Sequence, residues 1–206
     1  MSSLTYLTNP LFNVYRVYKT LGEMLTDRNY NTKKSEPYVP FTCDFNEFKN
    51  YENVFSSFIV TNNKNLVDKI LVYFCQEPKM SAKNFKTLKT HLEEENIKHC
   101  ILIISKSMTE PAKKEHSQTT DYWIEVFEQS ELMINFTKSV YSSKHFCLTH
   151  EEKQEFLTKN KISESQLPRI LCSDPVCRYY GVRRGQIIKI ITEDQGSNMV
   201  SYRLAN

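Results

Sequence analysis

Between Thr149 and Leu204 nearly every boundary carries a residue suited to starting or stopping an element, which confines the stretch to a small α+β module. Thr149-His-Glu-Glu152 is a capping box, in which the Thr hydroxyl and the Glu carboxylate each satisfy an orphan backbone N–H. Ser163-Glu-Ser-Gln166 repeats the device. Asp174-Pro175 opens a helix of one to two turns, with Pro where its missing N–H costs nothing. Gly181 can end that helix in the left-handed conformation that other residues resist. Gln186–Thr192 (QIIKIIT) reads as a strand, and the turn at 195–198 leads to Met199–Leu204, where Val200, Tyr202 and Leu204 alternate with polar residues.

Upstream the pattern is longer-ranged. Asn9-Pro10 starts a helix, and Leu11, Val14, Tyr15, Tyr18, Leu21 and Leu25 follow at helical spacing to about Tyr30. Residues 31–53 lose all periodicity and predict a surface loop. Val54–Thr61 and Lys69–Cys75 read as strands joined by the polar TNNKN turn. Ser81 caps a predicted helix to about Glu95, His99–Ser105 predicts a buried strand, and Thr109 with Pro111 opens a short helix. Tyr122–Phe127 and Leu132–Phe136 predict two further strands. Strands alternating with helices indicate an α/β first domain, helices packed on a mixed sheet, over 1–136. A junction at 137–148 and the small α+β domain at 149–206 complete the expected layout.

Several function classes are excluded. No apolar run approaches the ~20 residues needed to cross a bilayer, and MSSLTYLTNP has neither the basic nor the apolar region of a signal peptide. The six cysteines, at 43, 75, 100, 147, 172 and 177, form no CxxC, so reduced thiols are expected and no zinc site. Histidines 91, 99, 116, 145 and 150 make no i,i+4 pair, and no Gly-rich phosphate loop exists. Residues 1–140 hold 17 Lys/Arg against 17 Asp/Glu, and residues 141–206 hold 10 against 7. So weak a field does not support tight autonomous DNA binding. No cofactor is expected.

The run Glu164-SQLPRI-Ile170, then Asp174-PVCRYYGVRRGQIIKI-Ile190, closing with SYRL at 201–204, resembles the fifth subunit of eukaryotic RNA polymerases. Its C-terminal module is shared with the archaeal H subunit. The similarity continues through Leu11-Phe12, Glu77-Pro78-Lys79, EEENI at 93–97, Met108-Thr109 with Ala112-Lys113, and ELMIN at 131–135. It departs at the junction, where the family's Leu-Val-Pro-x-His is Tyr141-Ser-Ser-Lys-His145 and only the His matches. The resemblance implies a jaw domain followed by an assembly domain, in a non-catalytic polymerase subunit that docks on the largest subunit and contacts others.

On that reading Arg178, Tyr179, Tyr180, Arg183, Arg184 and Arg203 are the candidate docking residues, because aromatics and arginine forks dominate interface energetics. Leu167, Pro168, Ile170, Asp174, Pro175, Gly181 and Gly185 are expected to build the module. Lys79, Lys83, Lys86 and Lys89, spaced by 4, 3 and 3, should share one face of the Ser81 helix and lie near downstream DNA, touching it weakly and without sequence preference. The rival reading is a metal-dependent nuclease, with Asp68 and Glu77 holding the ion and Lys79 assisting water. The protein is expected inside the cell with its polymerase. The absence of a clear basic localisation cluster leans this towards a viral enzyme in virion and host cytoplasm, a cellular copy being nuclear.

Overall fold

The computed structural model describes residues 10–36, 41–51, 57–139, 143–194 and 197–206. It divides into two compact units, Met1–Ile134 and Asn135–Asn206.

In the first unit, helix α1 (Pro10–Asp27) is followed by strand β1 (Tyr30–Glu36), the short helix α2 (Phe45–Phe48) and a 3-10 turn at Lys49–Tyr51. Strands β2 (Ser57–Asn62) and β3 (Lys69–Phe74), the two-residue β4 (Lys79–Met80), helix α3 (Ala82–Glu94) and β5 (His99–Ile104) come next. The two-residue β6 (Ser107–Met108), α4 (Glu110–Gln118), β7 (Trp123–Glu128) and α5 (Gln129–Leu132) complete it. The main sheet has the order β1-β2-β3-β5-β7, antiparallel through β3 and parallel beyond it, so it is mixed as expected.

The twofold alternation of strands sorts its side chains onto two faces. One carries Leu71, Cys100, Leu102, Ile104 and Ile124, packed against Phe85, Leu88 and Leu92 of α3. The other carries Phe58, Ile70, Val72, Ile101 and Glu125, and here α1 packs: the Tyr18 ring lies 6.0 Å from Phe58. Strand β5 is buried along its whole length because both faces are covered.

Three local expectations need correction. Residues 31–53 are not a plain loop. Asn29, with φ 70°, turns the chain from α1 into β1, and Asp44 caps α2 by accepting from the N–H groups of Asn46 and Glu47. Residues 37–40 lie outside the described residues. The polar strand YNTKKSE carries no apolar alternation and takes its place through pairing with β2. Leu132–Phe136 is not a strand either: Glu131 reaches back to the Glu128 N–H at 2.8 Å, forming a capping box that starts α5. A 3-10 turn follows at Phe136–Lys138. Finally, the expected junction at 137–148 supplies a strand, β8 (Lys144–Cys147); residues 140–142 are outside the described set.

In the second unit β8 leads to α6 (His150–Asn160), a 3-10 turn at Glu164–Gln166, β9 (Arg169–Ile170), α7 (Pro175–Tyr180), β10 (Ile187–Asp194) and β11 (Ser197–Ala205). The sheet order is β8-β10-β11-β9. Both capping boxes form as predicted, at Thr149–Glu152 and Ser163–Gln166. Gln195 and Gly196 of the QGSN turn lie outside the described residues, and Asp194 pairs with Ser197 across them. All six cysteines of the chain are unpaired thiols. Burial pushes Cys177 up to about 12, so it carries no thiolate at neutral pH.

Candidate docking surfaces

Asp174 caps α7 by accepting from the Val176 N–H at 2.9 Å. The helix ends at Gly181 (φ 62°), where Val182 N–H returns to the Cys177 carbonyl and Gly181 N–H to the Arg178 carbonyl, a Schellman closure. Six helical residues give the element one inner face. Cys177 on that face packs with Val182, Ile188 and Ala205.

The two tyrosines divide. Tyr179 is 2% exposed, its ring 5.6 Å from Phe136 and its hydroxyl accepting from Asn135 Nδ2 at 3.0 Å. It therefore offers a partner no surface, and its expected docking role is corrected to a core one. Tyr180 is half-buried, 6.3 Å from the His145 ring. Burial lowers the His145 pKa, so this neighbour is neutral at physiological pH.

After α7 the chain makes a tight turn at Arg183–Gln186. Gln186 N–H donates to the Arg183 carbonyl, and Gly185 takes a φ of 84°, where a side chain would be strained. Gln186 Oε1 accepts from the Arg183 N–H at 2.6 Å. Gly185 N–H donates to the Ala205 carbonyl, and Lys153 Nζ donates to the Gly185 carbonyl at 2.7 Å while pairing with Glu164. This bracing holds the exposed Arg183 and Arg184 on a fixed backbone, with Arg184 reaching Asn206 Oδ1 at 3.2 Å.

Arg203 pairs across the sheet with Ile188, so it lies on the face that α7 covers. Met199, four residues earlier on β11, points to that same side and is exposed. The opposite face is covered in part by α6, whose Phe156 stacks on Tyr202 at 4.0 Å. The α7 side thus combines exposed Arg203 and Met199 with half-buried Arg178 and Tyr180, the braced turn after α7 carries exposed Arg183 and Arg184, and Leu171, just after β9, is also exposed. Guanidinium forks of this kind suit carboxylates bidentately. Leu171 and Met199 escaped the sequence reading because a single apolar residue next to a strand end carries no signal of exposure.

The module-building residues hold this surface from behind. Leu167 is buried, the Pro168 carbonyl accepts from Leu204 N–H, and the Ile170 carbonyl accepts from Asn206 N–H.

On the first unit, Ser81 accepts from Asn84 N–H and fixes the start of α3 at Ala82. Lys79 therefore precedes the helix on β4, and only Lys83, Lys86 and Lys89 share its face, which corrects the expected four-residue stripe. Lys86 lies 3.8 Å from Glu115, so part of the stripe's charge is offset locally.

The nuclease constellation does not assemble. Asp68 and Glu77 lie beyond opposite ends of the six-residue strand β3, which alone spans about 20 Å. The Asp68 carboxylate is engaged by Tyr30 and Asn62. Among the described residues no cluster of His, Cys, Asp and Glu could hold a metal ion.

A further site lay outside the sequence reading. Glu125 accepts from Arg28 at 2.7 and 2.9 Å and from His99 Nε2 at 2.7 Å, and the His99 ring stacks on Trp123 at 3.9 Å. A Glu in mid-strand between the apolar Ile124 and Val126 was its available cue.

Residues 10–92 match the family model described as RNA polymerase Rpb5, N-terminal domain, and residues 134–205 match RNA polymerase Rpb5, C-terminal domain. The chain is 32% identical over 201 residues to DNA-directed RNA polymerases I, II, and III subunit RPABC1 of Caenorhabditis elegans, covering 94% of this chain and 95% of that one. It is 33% identical over 193 residues to the rpabc1 subunit of Dictyostelium discoideum, covering 92% and 95%. It is 30% identical over 208 residues to DNA-directed RNA polymerase subunit 5-like protein 1 of Arabidopsis thaliana, covering 97% and 98%.

Proposed function

Because the chain belongs to the RNA polymerase Rpb5 family, we propose that it docks on the largest polymerase subunit through the α7 side of its second unit. As a member of that family it is a non-catalytic subunit of a DNA-directed RNA polymerase and serves transcription. The observation that carries the docking reading is Arg178, Tyr180, Arg203 and Met199 on the α7 side, followed by Arg183 and Arg184 on a turn whose backbone is braced. A rigid backbone limits the ordering cost of association, while arginine and tyrosine supply desolvated contacts.

The first unit is read as part of the lower jaw near downstream DNA. Lys83, Lys86 and Lys89 contact phosphates weakly, and only when the polymerase already holds the duplex. The protein resides with its polymerase. The relatives reported above come from cellular organisms and lend the virion reading no support, which favours the nucleus.

The test is co-purification. Arg178→Ala, Tyr180→Ala and Arg184→Ala combined in one full-length chain should abolish retention on the polymerase while the chain still unfolds cooperatively, at a midpoint lowered by the loss of Tyr180 packing on the Cys177 cluster. Undiminished retention of the folded triple variant overturns the docking assignment. Replacing Lys83 and Lys89 with Gln should leave assembly intact and weaken downstream-duplex binding by the whole polymerase, most visibly at low salt.

A further inference from the structure

The connection between β2 and β3 exposes two adjacent aliphatic side chains on a loop that is tied down from several directions. Leu66 is 74% exposed and Val67 87%. Reversing the chain does not require them, since polar turn residues do so without leaving apolar area in water. Within the loop, Asn62 N–H donates to the Asp68 carbonyl at 2.9 Å and Asp68 N–H to the Asn65 carbonyl at 3.0 Å. The side-chain oxygens of Asn62 and Asn65 accept from Lys64 N–H and Val67 N–H. From outside it, Tyr30 donates to Asp68 Oδ2 at 2.8 Å, and Asn63 N–H donates to the Asn29 carbonyl at 2.9 Å. A tip held this firmly presents its apolar pair in one arrangement before any contact is made, which lowers the entropy cost of docking.

We infer that the Leu66–Val67 tip is a docking knob that seats in an apolar, acid-rimmed pocket on another subunit of the polymerase. The rim chemistry follows from the charges around the pair. Lys64 and Lys69 flank it and are exposed, whereas the one acid between residues 61 and 76 is Asp68, whose Oδ2 also receives Asn62 Nδ2 at 3.1 Å. An apolar centre with a cationic border is matched by an apolar pocket with carboxylates at its edge. A lipid surface has similar charge, but two aliphatic side chains bury far less than one acyl chain, itself only a marginal anchor.

The inference rests on the chain being a polymerase subunit, and the test separates the two. A photoreactive phenylalanine is placed at Val67, and as a control at exposed Gln76, in the full-length chain, which is then assembled into polymerase and irradiated. Hydroxyl-radical oxidation of Leu66 is compared between the free chain and the assembled polymerase. The Val67 probe should crosslink to one segment of another subunit, with oxidation of Leu66 falling several-fold on assembly. Leu66→Ser with Val67→Ser should weaken retention by on the order of a hundredfold, the lower end for losing two buried aliphatic groups. An assembled chain with no discrete Val67 crosslink and unchanged Leu66 oxidation overturns the knob and leaves the subunit reading standing; failure to assemble takes both down. Binding of the free chain to phosphatidylcholine–phosphatidylserine vesicles that is lost in Leu66→Ser, without such a crosslink, also overturns it in favour of a membrane contact.

Discussion

Arg28 and Glu125, 97 residues apart in the chain, meet as a bidentate pair at 2.7 and 2.9 Å, with side chains only 4% and 10% exposed. Arg28 follows the last turn of α1 and Glu125 stands mid-strand on β7, so the pair ties the helix to the sheet face it covers. An ionised carboxylate can only accept, so His99 Nε2, 2.7 Å away, carries a proton.

Removing one partner strands the other in a low-dielectric interior. Arg28→Ala should therefore cost about 3–5 kcal/mol, read as a lowered urea midpoint. Burial opposes charge on Glu125, but Arg28 and the His99 hydrogen bond outweigh it and hold the carboxyl at about 2. A carboxyl depressed in the folded state stabilises fully above its unfolded pKa, near 4.5, and loses that contribution as pH falls through about 2. Wild type should lose stability across that window, and Glu125→Gln, weaker at pH 7, should show a smaller acid-dependent loss. Parallel acid limbs for the two proteins would count against this account.

Gly22 is buried within α1, where glycine ordinarily costs about 1 kcal/mol against alanine. Here the sign reverses. A Cβ at position 22 would lie 2.4–2.7 Å from Phe41, whose ring stacks on Tyr18 at 4.3 Å. Gly22→Ala should destabilise by about 1–3 kcal/mol, the usual range for overpacking. In the double variant with Phe41→Ala the crowding ring atoms are gone and only the Cβ at position 41 remains, so the second change should cost less than it does alone. Additivity of the two in chemical denaturation would show that Phe41 is not the constraint.

What the sequence made legible and what it hid divide by range. Thr149, Asp174 and Gly181 act on backbone groups a few residues away, so their roles could be read directly and the structure forms each cap. Strand β1 gives no such cue, because its polar residues are ordered by pairing with β2. Tyr179 and Tyr180 are adjacent and chemically alike; only the packing of Phe136, 43 positions before Tyr179, makes one of them core. The lysine stripe was over-extended by a single residue for a local reason: spacing cannot tell a helix face from the strand residue preceding a cap. The Arg28–Glu125 pair needed the fold itself.

Two helices of the second unit close with the same left-handed geometry but different residues. Gly181 adopts φ 62° at the end of α7, and Lys161 adopts φ 53° at the end of α6. A Cβ in this region costs on the order of 1 kcal/mol. Gly181→Ala should lower stability by about that amount, and Lys161→Gly should raise it by somewhat less, since glycine also loosens the unfolded chain. Thermal unfolding of the two variants should shift in opposite directions. A destabilised Lys161→Gly would mean that the Lys161 side chain makes a contribution beyond its backbone conformation.

Lys153 links stability to docking more directly. Its ammonium donates to the Gly185 carbonyl at 2.7 Å and pairs with Glu164 at 2.7 Å, bracing from α6 the turn that carries Arg183 and Arg184. A charge-assisted hydrogen bond of this kind contributes about 1.5–3 kcal/mol. Lys153→Met keeps much of the aliphatic stem but loses the donor, so the unit should stay folded with a lowered unfolding midpoint. The turn would then sample other positions, and the two arginines would no longer be held in advance for a partner. Retention on the polymerase should fall more steeply with added salt than for wild type, although no docking arginine has been touched. Lys159→Met, at an exposed position on the same helix, should leave both properties unchanged. Wild-type retention in a Lys153→Met chain of lowered stability would separate the turn's rigidity from docking and assign Lys153 to the fold alone.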